Sequence, residues 1–281
     1  MIQRVYEIAG VRLRVDIPKE WMYAGDGALA GFLVNSDRWD RTLCMQVVDH
    51  LSAPEGQLIF QTPGQQIFRL EDGQIRYEGA LADSLNGAYL RMERRGENST
   101  IQVLKSSVTY GITPKLVLKA MEAEHLICDA GGFLLHASWI EIGGKGILFT
   151  GPSGIGKSTQ AALWCDHRGA ELLNGDRAAV FGDHARGIPF RGSSGVGLNR
   201  KTPLAAIVYL SQAKETTLVR LTGARAFRRL WEGCSVNIWN PADLERTTAA
   251  VMDTLNAVPV YHLSCRKDIS AIEALEKEGI L

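Results

Sequence analysis

The chain has 281 residues, 46% of them hydrophobic, enough to bury one large core or two modest ones. Lys and Arg together number 31, as do Asp and Glu, so the formal net charge is zero. That balance excludes a bulk electrostatic pull toward nucleic acid or an anionic membrane.

The cysteines (Cys44, Cys128, Cys165, Cys234 and Cys265) form no CxxC pair. This argues against a metal cluster or a disulfide framework and for free thiols in a reducing compartment. The first residues lack a basic segment followed by an apolar run, and no stretch reaches the roughly 18–20 apolar residues that span a bilayer. The expectation is a cytoplasmic protein without a membrane or nucleic-acid partner.

In chain order, residues 1–112 read as a β-rich, antiparallel N-terminal module. Segments 3–9 and 11–17 flank Gly10. Two alternating runs, 66–71 and 74–78, flank Asp72-Gly73, a strong hairpin signal. Further strands are expected at 43–48, 57–62, 88–92 and 100–104, and no catalytic constellation is visible among them.

Residues 113–281 read as a second, α/β domain. A helix starts with Thr113 as N-cap and Pro114 at its first position and runs to Gly131-Gly132. A hairpin follows: FLLHASWIEI, Gly143-Gly144, then GILFT. A helix at 158–168 stops at Gly169, and AELLN is a strand. Residues 182–203, rich in glycine and basic residues, read as a long loop of the kind that carries function. Strands at 204–211 and 216–221, a helix near 224–233, a helix opened by Asn240-Pro241, the strand VPVYHLS and a helix from Ile269 complete the order.

The hairpin leads into Gly151-Pro152-Ser153-Gly154-Ile155-Gly156-Lys157-Ser158, which fits the Walker A pattern GxxxxGK(S/T) at every fixed position. Glycines let the backbone wrap a phosphate with several N–H groups turned inward, and the following helix adds its positive end. Lys157 would reach the β- and γ-phosphates, and the Ser158 hydroxyl would ligand Mg²⁺. The expected nucleotide-binding set is Gly151, Ser153, Gly154, Ile155, Gly156, Lys157, Ser158 and Thr159.

Asp176, just past the strand AELLN, could hold Mg²⁺ or accept a proton from an attacking hydroxyl. The bland alternative is a plain Asn-Gly-Asp turn. His136 sits in the strand that pairs with the one entering the loop, where a structural and a functional role are equally open. Arg191 could offer a planar donor fork to a phosphate or carboxylate. Trp139, Trp164 and Trp231 fit core faces better than a base-stacking platform. Nothing resembling NKxD or LSGGQ follows, so neither guanine selection nor a transporter cassette has a visible carrier.

Leu135-His136-Ala137, Gly151 to Ser158, and Leu172-Leu173-Asn174-Gly175-Asp176 together resemble the catalytic domain of the HPr kinase/phosphorylase family. They resemble most closely its shorter relatives, the lasso-peptide precursor kinases. The resemblance is specific over 133–200 and looser over 204–281, where the closing Pro259 to Arg266 agrees.

The resemblance implies a carboxykinase-like P-loop core with a mixed sheet, ATP and Mg²⁺ as cofactors, and phosphorylation of a serine hydroxyl. It aligns His136 with the histidine near the transferred phosphate, Lys157 and Ser158 with the loop residues, and Asp176 with one member of an Asp pair. Arg191-Gly192 aligns with an Arg-Gly turn. Thr159 replaces a glutamate, Gly175 the second aspartate, and Pro189 an acidic residue. These departures count against a phosphorylase back-reaction and against HPr as partner, and they leave Asp176 as the obvious candidate for both metal and base duties.

The expected activity is that of an ATP-dependent serine kinase acting on a peptide or protein. The rival readings are a nucleotide-gated binding module, or a small-molecule kinase or carboxykinase-type enzyme on the same core. The oligomeric state is open, and a homo-oligomer is compatible with the sequence.

Overall fold

The computed structural model describes residues 1–19, 26–79, 85–108 and 112–280. The chain divides into two compact units, Met1–Glu122 and Ala123–Leu281.

In the first unit, β1 (Ile2–Ile8) and β2 (Val11–Ile17) form a hairpin. It turns at Ala9 and Gly10, both at positive φ. The unit continues with β3 (Arg41–Val48), β4 (Gln57–Thr62), β5 (Gln65–Arg69), β6 (Gly73–Gly79), β7 (Ala88–Arg95) and β8 (Asn98–Leu104). The sheet order is β1-β2-β3-β8-β7-β6-β5-β4.

The expected antiparallel module is instead a mixed sheet, because β3 pairs in parallel with both β2 and β8. Turn dipeptides reveal hairpins. A parallel pair is joined through a long crossover and leaves no such local mark. Here the four strands β4 to β7 lie between β3 and β8 in the chain.

Strand β6 is covered on both faces. Ile75 and Tyr77 pack with Phe68, Leu70 and Ala88. On the other face Arg76 pairs with Glu78 at 2.9 Å, and Gln74 donates to Glu122 at 2.8 Å. Arg94 also reaches Glu122, at 3.1 Å.

This network explains a second departure. The helix expected to run from Thr113 to Gly131 is two helices, α1 (Pro114–Ala120) and α2 (Ala123–Asp129). The break falls at Glu122, whose φ is 47°. A left-handed non-glycine residue costs about 1–2 kcal/mol; its buried carboxylate, held by Gln74 and Arg94, offsets that cost. Arg76 also donates to the Lys119 carbonyl at 3.0 Å, so α1 belongs with the β-sheet of the first unit.

The second unit begins with β9 (Phe133–Ile142) and β10 (Lys145–Thr150), joined by Gly143 and Gly144 at positive φ. Then come α3 (Lys157–Arg168), β11 (Glu171–Asn174), β12 (Arg177–Phe181), β13 (His184–Arg186) and β14 (Lys201–Gln212). The chain ends with β15 (Thr217–Leu221), α4 (Gly223–Trp231), β16 (Cys234–Ser235), α5 (Pro241–Ala257), β17 (Val260–Cys265) and α6 (Ser270–Lys277).

The strand path runs β10-β9-β12-β13-β14-β17-β15, and a parallel β10–β14 pairing closes part of it into a ring. The segment read as a loop from 182 therefore contains β13, which pairs with β12 and β14. The sheet is mixed, as expected: β14 is parallel to β10 and β17, and the hairpin partners are antiparallel.

Two apolar layers flank it. Leu135, Trp139, Leu148 and Ile207 pack with Leu230 of α4 and Val251 of α5. Ile140, Phe149, Val208 and Leu263 pack with Trp164 of α3 and Leu275 of α6. Both faces being covered, these strands read as near-continuous apolar runs, and each large side chain buried there stabilises the fold by about 1.5–3 kcal/mol. Trp139 and Trp164 are core residues and Trp231 packs against the core from α4. No helix of the described residues is long and apolar enough to cross a membrane.

Candidate functional site

The buried strand β10 delivers the chain to Gly151, and the loop closes at Gly156, the residue before α3. Gly151, Gly154 and Gly156 all have positive φ, at 140°, 76° and 116°. At Gly151 space adds a second constraint, since a Cβ there would lie 3.2 Å from the Leu210 carbonyl oxygen and 3.3 Å from Ile155. These are backbone shapes that L side chains rarely adopt.

Lys157 opens α3 and turns back on the loop, donating to the Gly151 and Pro152 carbonyls at 2.9 and 3.0 Å. Burial lowers its pKa, and the nearby Asp176 carboxylate partly restores it.

Asp176 is presented by a turn with its own lock. Asn174, fully buried at the end of β11, accepts from the N–H groups of Asp176 and Arg177 at 2.9 and 3.0 Å. Its amide donates to the Ile188 carbonyl at 3.1 Å. The Asp176 carbonyl accepts from Ala137 N–H at 3.0 Å. Arg177 is registered opposite His136 in the β9–β12 ladder.

The ladder brings His136 Nδ1 to 3.5 Å from the Asp176 carboxylate, and Arg177 Nε lies 3.5 Å from its other oxygen. Burial, then the Lys157 charge, hold His136 below the ordinary histidine range despite the opposing pull of Asp176. The imidazole is therefore neutral at neutral pH.

The segment 187–197 packs on this turn. Gly192, at φ 54°, lies so close that a Cβ there would stand 2.7 Å from the Asp176 Cβ. A Cβ on Gly175 would stand 2.1 Å from Ser194 Oγ.

Together these elements line a cavity of about 370 Å³, walled by His136, Ser153, Gly154, Gly156, Lys157, Ser158, Thr159, Gly175, Asp176 and Ser193. Three residues singled out in the sequence are not in that wall. Gly151 lies at the base of the loop, beside Leu210. Ile155 is partly buried against the α3-side core. Arg191 precedes the short turn Gly192–Ser194, and its carbonyl accepts from Ser194 Oγ.

Three wall or support residues, Gly175, Ser193 and Asn174, were not among the expected site residues. Ser193 lies in the glycine-rich segment but carries no motif of its own. Asn174 was visible only as part of an Asn-Gly-Asp turn, the kind in which an Asx side chain caps the backbone two residues on.

The cavity combines one cation, one carboxylate, a neutral imidazole, hydroxyls and a glycine loop at a helix start. That set suits a polyanion and a proton transfer. Ser158 and Asp176 are hard oxygen donors on the same wall, which suits Mg²⁺.

No protein-family model matches this chain, and no curated protein matches it. Among solved structures it is similar to the HPr(Ser) kinase/phosphatase from Coxiella burnetii, with 15% sequence identity and a TM-score of 0.30 over 52% of this chain and 95% of that one.

Proposed function

We propose that this chain is an ATP- and Mg²⁺-dependent kinase that moves the γ-phosphate onto a serine hydroxyl of a peptide or protein. One observation carries the reading: Lys157 and Ser158 of the glycine loop share a single cavity with His136 of β9 and with Asp176 in the turn between β11 and β12. By the resemblance of residues 133–200, the acceptor is a ribosomally made precursor peptide of the lasso type. The domain division that goes with this reading is an N-terminal β-rich module and a C-terminal kinase core.

The glycine loop binds the phosphate tail through backbone N–H groups and the start of α3. Lys157 supplies the positive charge that tracks the migrating phosphoryl group. Ser158 and Asp176 hold the metal, and Mg²⁺ when bound neutralises charge on the phosphate oxygens. An Asp176 oxygen accepts the proton of the attacking hydroxyl, and neutral His136 beside it orients that carboxylate. Arg191, outside the cavity wall, would offer its planar fork to a phosphate or carboxylate.

The test is incubation with labelled ATP, serine-bearing peptides and small hydroxyl compounds, with Mg²⁺ or with chelator. Mg²⁺-dependent label on a peptide serine is expected. Nucleotide binding without transfer would replace this reading with a nucleotide-gated binding module. Label confined to small molecules would replace it with a small-molecule kinase.

A further inference from the structure

Two adjacent serines in the turn after Arg191 lead different lives. Ser194 is consumed by the fold: its hydroxyl donates to the Arg191 carbonyl at 2.8 Å and accepts from Val196 N–H at 3.1 Å. It also fills the space that a side chain on Gly175 would need. The Ser193 hydroxyl has no hydrogen-bond partner among the described residues. It is exposed, and it lines the same cavity as Lys157, Ser158 and Asp176.

The other hydroxyls on that wall belong to the phosphate side. Ser153 sits within the glycine loop, and Ser158 and Thr159 sit in the first turn of α3. Ser193 comes from the segment that rests on the base. Its neighbour Gly192, at φ 54°, lies so near Asp176 that a Cβ there would stand 2.7 Å from the Asp176 Cβ and force a shift.

We propose that Ser193 is a phosphorylation site of the chain itself, modified within its own cavity. The proposal rests on the kinase reading above. An Asp176 oxygen takes the Ser193 hydroxyl proton, the serine oxygen forms a bond to the γ-phosphorus of a nucleoside triphosphate, and the bond from that phosphorus to the β–γ bridging oxygen breaks. The products are phosphoserine 193 and the nucleoside diphosphate. The reaction is a single turnover per chain. The phosphate then stands in the cavity that Lys157 also lines and competes by charge for the room that the triphosphate needs, so modification weakens the next binding event.

The experiment uses the full chain with MgATP and no acceptor, followed by intact mass and fragmentation to map the site. Addition of one phosphoryl group at Ser193 is expected, at a rate independent of protein concentration. Ser193→Ala should abolish that mass gain. Asp176→Asn should slow it on the order of a hundredfold.

Site mapping on the unmutated chain keeps the test sound if a variant folds poorly. Label at Ser153 or Ser194, or a rate that rises with protein concentration, would overturn the proposal. Parallel assays of ATP affinity and of transfer to a serine peptide separate the two failures. Transfer to the peptide with Ser193 unmodified sinks only the self-modification. A chain that neither binds ATP nor labels any acceptor loses both readings.

Discussion

Two of the histidine–carboxylate pairs in the second unit, His125–Asp243 and His136–Asp176, differ in almost everything but composition. His125 Nδ1 lies 2.9 Å from Asp243, with the side chains 8% and 1% exposed. Asn237 donates to the other Asp243 oxygen at 2.9 Å, and Cys128 Sγ bonds back to the His125 carbonyl. Burial works against the charged carboxylate, yet hydrogen bonds from His125 and Asn237 keep Asp243 below the usual range. The same burial, with Asp243 nearby, pushes the Cys128 thiol up to about 12.

The His136–Asp176 pair is looser, at 3.5 Å, and its side chains are 38% and 27% exposed on the cavity wall. A tight, buried pair, with Asn237 on its second carboxylate oxygen, ties α2 to α5. The looser pair has unused acceptor and donor positions facing solvent. Saturation by partners, more than residue type, distinguishes structural cement from chemistry here.

Substitutions break the comparison in opposite directions. The largest effects belong to the cavity. Asp176→Asn and Lys157→Ala should each reduce phosphoryl transfer on the order of a hundredfold or more, with stability almost unchanged. Calorimetric ATP affinity should survive in the Asn variant while its Mg²⁺ dependence weakens. Transfer within threefold of wild type at saturating MgATP, for either variant, would remove that residue from the chemistry.

Next in size is the mirror experiment. Asp243→Ala strands buried donors on His125 and Asn237, so it should cost about 2–4 kcal/mol of unfolding free energy. Urea denaturation reads this, and the fraction still folded should transfer phosphate at near wild-type rate. An equal loss of stability from Asp176→Asn would mean the two pairs are alike.

The smallest effect concerns acid. The folded chain holds His136 below its ordinary value of about 6.5. Between the depressed value and the ordinary one, the unfolded chain therefore binds more protons, and stability falls as the pH drops through that window. His136→Gln should shallow this slope, measured as Tm between pH 7 and pH 5 (~2 units, spanning the window). It should not erase the slope, because burial also holds His262 low. A slope unchanged by the substitution would mean the imidazole is not desolvated as described.

Much of this architecture was legible in the chain. The glycine pattern from 151 to 156, the Gly143-Gly144 turn, the Gly169 stop and the Asn240-Pro241 start each impose a local backbone shape, and local shapes are written in short stretches of sequence. The apolar periods marked the strands of both units for the same reason.

What lay beyond reach is non-local. The parallel pairing of β3 with β2 and β8 depends on residues far apart in the chain and carries no turn signature. The break at Glu122 depends on Gln74 and Arg94 waiting on β6 and β7. Within the site, the motif marked Lys157 and Ser158 without help. Only the β9–β12 register set Asp176 beside His136, and only packing of 187–197 on the Asn174 turn brought Ser193 to the cavity and left Arg191 outside its wall. Local conformation follows from φ, ψ and spacing over a few residues, whereas convergence on a cavity is decided by which strands pair and in what register.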